Sequence, residues 1–180
     1  MARVTPRAAA GPGVVAVVAF DGVRLLDVTG PAEVFTTANM FGAGYDVRIV
    51  SPDGADVTTS SGLRIGVDAG PPDLPARLHT LVVPGRSDWR RAVTNRPLIA
   101  LVDEPLKRSR RVTSVCAGAF VLAETGALDG RRAATHWRLA AQLATAYPRV
   151  RVETDPVRAG RRRRHVRPGP AATRAVGRTR

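Results

Sequence analysis

"VTSVCAGAFVLAETGALDGRRAATHW", residues 112–137, is the stretch that decides the fold. A β-branched run enters Cys116, the only cysteine in the chain, and Ala117, Gly118 and Ala119 follow it. Read outward, "RVTSVCAG" is a strand buried on both faces, and "AFVLAETG" is a helix that stops at Gly126. Cys116 therefore falls on a strand-to-helix turn, where small neighbours permit a sharp reversal and the backbone is held under strain. A helix N-terminus beneath the sulfur predicts a thiol that ionises more readily than free cysteine, beside amides able to cradle an oxyanion. After the turn "LDGRR" and a short strand "AAT" comes His136, the natural partner for a thiol proton. A capping or packing role ahead of the next helix is the competing reading for that histidine.

The same reading extends along the chain. "VVAVVAF" (14–20) is a continuous apolar run, as in a strand of a parallel sheet. In "DGVRLLDVTGPAEVFTTANMFG" (21–42), Pro31 marks the first turn of a helix, Gly42 its stop, and Val34, Ala38 and Phe41 share one face. "YDVRIVSPDG" (45–54) is a second strand and turn, residues 56–70 form a hairpin or edge strands, and "HTLVVPG" (79–85) is a third buried strand. Residues 88–109 read as helical, broken by Pro97 and Pro105. A helix over 137–147 and a last strand over 150–155 complete the pattern. Strands alternating with helices predict a three-layer α/β sandwich with a largely parallel sheet, its reactive site at the carboxyl ends of the strands.

With 180 residues the chain accommodates one domain, placed at 13–156, between a leader (1–12) and a basic tail (157–180), both expected to be disordered. The net charge of +13 invites a nucleic-acid reading, yet the tail alone supplies nine arginines and no acid. The body's 19 Lys and Arg against 15 Asp and Glu leave only +4. The tail lacks lysine and any helical or strand period. Its composition is that of GC-rich DNA translated out of frame, and nonspecific contact with DNA is the most it implies. One cysteine excludes an internal disulfide framework and a cysteine-cluster metal site, fits a cytoplasmic setting, and no run is long enough to span a membrane. Neither a metal nor a cofactor is called for.

Two further residues have chemistry to offer. Asp27, between leucines and a valine in the loop after the first strand, is placed to approach the cleft, or else serves as a helix-entry acid. Gly85 ends "VVPG", where its amide faces the same cleft or simply makes a turn. Glu33 reads as a first-turn acid serving the helix dipole.

Taken in order, L-D-x-T-G-P, V-P-G, the C-A-G elbow, G-A-L-D-G-R-R and T-H-W resemble the ThiJ/PfpI superfamily of class I glutamine-amidotransferase-like domains from about residue 14 to 156. Within it, the chain is most similar to the amino-terminal domain of AraC-type transcriptional regulators, with the isonitrile hydratases as near neighbours. The resemblance implies a flavodoxin-like sandwich, usually a homodimer. It implies that Cys116 is the elbow cysteine, His136 the downstream histidine, Asp27 the acid on the thiol, and Gly85 with Ala117 the oxyanion or ligand-binding positions. In the regulators such a domain senses a small-molecule ligand or mediates dimer contacts, and a helix-turn-helix domain after it binds DNA. Three departures stand out. Ala117 occupies a position where hydratase-like members commonly carry threonine, and Arg86 replaces a second glycine after V-P-G. The basic tail stands where the family's last strand and closing helix are expected, and no helix-turn-helix pattern follows. The expectation is a sensing or dimerising module truncated before its DNA reader, so that DNA binding falls to a missing domain. The alternative is a cofactor-free cysteine hydratase or hydrolase.

Overall fold

The computed structural model of the chain describes residues 13–153 and 172–173. The expected leader and almost all of the basic tail lie outside these residues. The first strand, β1 (Gly13–Val18), is the apolar run read from the sequence, and Val15 to Val18 are fully buried. Around it, β2 (Tyr45–Val50), β5 (Leu78–Val83) and β6 (Ser109–Val115) pair in parallel, in the order β2-β1-β5-β6. Two residues from within the expected tail, β9 (Ala172–Thr173), extend this sheet by pairing antiparallel with Ser114 and Val115. The hairpin expected over 56–70 is β3 (Val57–Thr58) with β4 (Arg64–Ile65). The short strand before His136, β7 (Arg132–Ala133), pairs with β8 (Arg151–Val152) in a separate two-stranded sheet. The architecture is the expected flavodoxin-like α/β sandwich with a mostly parallel central sheet.

The helices differ from the sequence reading where prolines are concerned. The first, α1 (Leu25–Asn39), starts six residues before Pro31 and runs through it. A proline removes one backbone donor, and the helix tolerates that loss in its second turn. Asp27 consequently sits in the first turn of α1 and not in a loop, while Glu33 is mid-helix, where it accepts a hydrogen bond from the Thr37 hydroxyl. The shared face of Val34 and Phe41 is turned to solvent, while Val28 is buried and Phe35 meets Tyr45 edge-on at 5.0 Å. Gly42 does follow the helix end with φ +81°, the left-handed conformation that suits glycine. Next come α2 (Trp89–Val93) and α3 (Arg96–Arg108). Pro97 helps open α3 and does not break it, because the first turn of a helix has no use for that amide hydrogen. Pro105 lies buried in the last turns of α3, so it too fails to interrupt the helix. After the elbow, α4 (Gly118–Glu124) is buried along nearly its whole length. Its Phe120 stacks on Trp89 of α2 with ring centres 4.1 Å apart. A 3-10 turn (Trp137–Leu139) leads into α5 (Ala140–Ala146).

The topology dictates where a site can form. From β1 the chain crosses one way, through α1 to β2. From β5 it crosses the other way, through α2 and α3 to β6. Right-handed crossovers in opposite directions put α1 and α3 on opposite faces of the sheet and part the loops after β1 and β5. That parting opens a crevice at the carboxyl ends of neighbouring strands, the usual seat of ligands in open α/β sheets.

Candidate functional site

Cys116 follows β6 at this crevice with φ +54°, the only non-glycine residue at positive φ among the described residues. A side chain in this region carries a conformational cost of about 1–3 kcal/mol, tolerated only where the surroundings enforce it. Two glycines show what enforces it. A Cβ on Gly118 would stand 1.9 Å from the Val83 carbonyl oxygen, and one on Gly85 would stand 2.5 Å from the Ala117 nitrogen. Backbone from the β5 end and backbone from the elbow therefore touch directly, with no room for a methyl group on either side. The sequence reading weighed Gly85 as a turn residue or an amide donor; close approach is an additional reason for a glycine there.

Asp27 reaches the same point from α1. The Gly85 amide donates to its Oδ2 at 3.3 Å, and its carboxyl lies near enough to the Cys116 thiol for each to act on the other. Burial pushes the Asp27 carboxyl above the usual carboxylate range, opposed by the Gly85 amide, by Arg24 and by the thiol. Burial also pushes the Cys116 thiol up, with the neighbouring Asp27 charge acting in the same direction. The Ala117 amide and Arg24 pull the other way without prevailing. This corrects the expectation of a readily ionised thiol. The short helix α4 follows a cysteine that is only 8% exposed, and desolvation beside a carboxyl outweighs the amide contribution. The Gly85 amide, expected to face the cleft, is engaged by Asp27.

His136 is brought to the cleft by an anchor that sequence reasoning missed. The buried Thr135 hydroxyl donates to the Cys116 carbonyl at 2.9 Å and ties the segment after β7 to the elbow. Its only signal was its place just before the histidine. His136 is found both at a helical cap and at the cleft. Its Nδ1 accepts from the Arg138 amide at 3.3 Å, capping the 3-10 turn, while the ring lines the cleft with Cys116 and Asp27. With Nδ1 acting as an acceptor, the neutral ring carries its proton on Nε2. The charged group acting on the thiol from nearest at hand is Asp27. His79 lies at the start of β5, against Tyr45, at the other end of the strands.

The cleft has a volume of about 540 Å³ and is also lined by Arg24, Arg86 and Arg138. Arg86 is the departure from a second glycine after V-P-G; Arg24 and Arg138 carry no such signal in the sequence, because arginine is common throughout this chain. The guanidinium of Arg86 lies against Gly22, where a Cβ would come within 2.9 Å of its Cζ, and it donates to the Asp21 carbonyl at 3.0 Å. No helix among the described residues is long and apolar enough to cross a membrane.

This arrangement has counterparts in known proteins. The chain is 47% identical over 139 residues to a protein of the cpoL 5′ region of Streptomyces lividans, a match covering 77% of this chain and 98% of that one. It is 32% identical over 136 residues to the HTH-type transcriptional regulator GbdR of Pseudomonas aeruginosa, covering 74% of this chain but 36% of the regulator. It is 33% identical over 118 residues to the isonitrile hydratase of Pseudomonas putida, covering 66% of this chain and 50% of the hydratase. Against the regulator and the hydratase, then, the match spans between a third and a half of their length. Among solved structures, a ThiJ/PfpI family protein from Pseudomonas syringae superposes with a TM-score of 0.71 at 26% identity, covering 85% of this chain and 63% of that one. The family model for DJ-1/PfpI matches residues 14–160, which include every strand of the parallel sheet and all the cleft residues but none of β9. With its cysteine elbow, its acid on the thiol and its parallel sheet, the chain belongs to the DJ-1/PfpI family.

Proposed function

We propose that this domain is a small-molecule-sensing and dimerising module of an AraC-type transcriptional regulator, working in the cytoplasm. The observation that carries the reading is the state of Cys116. It is an elbow cysteine held at a ligand crevice, yet it is buried beside the equally buried Asp27, and that burial pushes both the thiol and the carboxyl up. A thiol kept protonated is a poor nucleophile. Other features favour binding over turnover. The Gly85 amide is spent on Asp27, and Ala117 offers no hydroxyl beside the sulfur. Identity to GbdR and to other HTH-type regulators points the same way.

The second reading, a cysteine-dependent hydratase or hydrolase, is favoured by the closeness of Asp27 to the Cys116 thiol and by the likeness to isonitrile hydratase. In that case the sulfur adds to an electrophilic carbon, Asp27 takes the thiol proton and delivers it to the adduct, and water then displaces the sulfur. The two readings separate on turnover. Purified protein is incubated with an isonitrile, a nitrile and a primary amide, and product is followed by mass spectrometry. The sensing reading expects stoichiometric binding or modification at most. Steady product formation abolished by Cys116→Ala would replace it with the enzyme.

The dimer in this proposal is a homodimer built on α1. Leu26 and Val34 lie on one stripe of the helix, with Phe41 continuing it past the helix end, and are 77%, 68% and 85% exposed. Gly30 falls on the same stripe, and a Cβ there would meet nothing within 4 Å. A small residue between large apolar ones on an open helix face lets a second helix approach closely, and an exposed apolar stripe of this length marks an interaction surface.

A further inference from the structure

We propose that the crevice is an anion site, built to hold a small carboxylate against Cys116 through Arg24, Arg86 and Arg138. The inference deepens the ligand-sensing reading and rests on the cleft being a ligand site.

Three arginines line the cleft, and the one carboxyl among its lining residues, Asp27, is engaged by the Gly85 amide beside Cys116. Among the described residues none of the three arginines forms a salt bridge, whereas Arg48, Arg64, Arg132 and Arg149 each do. The body of the chain has acids enough to pair arginines, and it does so elsewhere. Around the sulfur it leaves them open. Arg86 is the most constrained: it rests on Gly22, is fixed to the Asp21 carbonyl, and its buried Nε has no hydrogen-bond partner. Arg138 is set over the Trp137 ring at 5.7 Å, which orients it without neutralising it. Arg24, at the entry to α1, adds a third charge close enough to act on both Asp27 and the thiol.

A planar guanidinium matches a carboxylate with two parallel hydrogen bonds, and like charges gathered in a low-dielectric cleft concentrate anions there. A neutral isonitrile, nitrile or amide uses none of this. At about 540 Å³ the cleft suits a compact molecule.

Two alkylating agents that differ only in charge test the idea at the sulfur itself. In both, the Cys116 thiolate displaces iodide and forms an S–CH2 bond, but iodoacetate carries a carboxylate where iodoacetamide carries an amide. The ratio of their rates is measured at Cys116 and, under the same pH and salt, on N-acetylcysteine. The expected ratio at Cys116 is at least tenfold above that of the free thiol. It should fall at least threefold in Arg86→Gln and in Arg24→Gln, and stay unchanged in Arg96→Gln, which removes the same charge from an exposed site. A ratio at or below the free-thiol value overturns the proposal. If the thiol takes neither reagent, the accessible-thiol premise of the enzymatic reading fails. The anion site is then decided by calorimetry with succinate and oxalate against succinamide. Binding of either dianion at least tenfold tighter than succinamide, lost in Arg86→Gln, sustains it; equal or absent binding overturns it.

Discussion

Gly85 is joined to α1 through both of its backbone polar groups: its carbonyl accepts from the Arg24 amide at 3.0 Å, and its amide donates to Asp27 Oδ2 at 3.3 Å. These two bonds clamp the loop after β5 to the entry of α1, across the point where the sheet topology parts them. The clamp also delivers Asp27 to the elbow, since Gly85 rests on Ala117. The site is therefore assembled by backbone, with Cys116, Asp27 and the arginines as its furniture.

The thiol and the carboxyl constrain each other's protonation. Desolvation and then Asp27 push Cys116 up, so alkylation with neutral iodoacetamide should titrate above the free-cysteine value of about 8.5. In Asp27→Asn the charge is gone while burial remains, and the apparent value should drop below that of the wild type. Rate against pH in both proteins checks this. A wild-type midpoint below 8, or an upward move in the variant, contradicts the electrostatics.

Asp27 also makes stability depend on pH. Its folded-state pKa lies above the unfolded value of about 3.9, so the fold favours the protonated form. The stability it contributes is fully present below that unfolded value and is lost as pH rises through the folded value. Asp27→Asn keeps an acceptor for the Gly85 amide without the buried charge. It should raise the thermal midpoint at pH 7.5 by about 2–4 °C, which corresponds to roughly 1 kcal/mol for a chain of this size. Near pH 4 the advantage should shrink toward zero. A variant less stable than wild type at pH 7.5 would show that the carboxylate is better compensated than its burial implies.

Gly118 tests the backbone packing. A methyl group there would overlap the Val83 carbonyl, and the atoms it would meet are backbone, which cannot swing aside as a side chain can. Gly118→Ala should destabilise the protein by about 3 kcal/mol or more, in the range of severe backbone and overpacking changes. Chemical denaturation gives the number. A loss under 1 kcal/mol would mean that the elbow and β5 are not held in register as described.

Much of this was legible in the sequence because it was carried by local patterns. The strands β1 and β5 read directly as apolar runs, since strands covered on both faces have no polar alternation to hide them, whereas β6, read as buried on both faces, is buried only at Ser109 and where Ser114 and Val115 approach the elbow, with Arg110 and Arg111 exposed. The elbow at Cys116 followed from a strand meeting a run of small residues. The start of α1 was placed too late because Pro31 was given the first turn, when the helix absorbs it further along. The thiol's ionisation was read with the wrong sign because a sequence displays a helix N-terminus but not the depth at which a sulfur is buried. Arg24 and Arg138 were invisible for a similar reason: the fold brings them to Cys116 from 92 and 22 positions away by the numbering, and nothing local marks them, while Thr135 was marked only by its place before His136.

The α1 stripe makes the last prediction. Leu26, Val34 and Phe41 are apolar side chains pointing into solvent, with Gly30 leaving a shallow gap between the first two. Burying such a stripe against a second copy removes an apolar patch of several hundred Å² from water, at about 25 cal/mol per Å². Two α1 helices crossing at Gly30 would satisfy the stripe on both copies at once, as a two-fold interface requires. Sedimentation of the wild type at micromolar concentration should therefore give a dimer. Val34→Glu and Phe41→Glu place a charge on each copy at the centre and at the end of the stripe. They should shift the equilibrium to monomer, with Val34→Glu the stronger because like charges then meet at the crossing. Both side chains are exposed in the single chain, so circular dichroism should remain that of the wild type. A wild type that stays monomeric at 100 µM (a concentration on the order of which even a weak dimer of about 8 kcal/mol is populated), or a Val34→Glu variant that stays dimeric, would show that α1 is not where two copies meet.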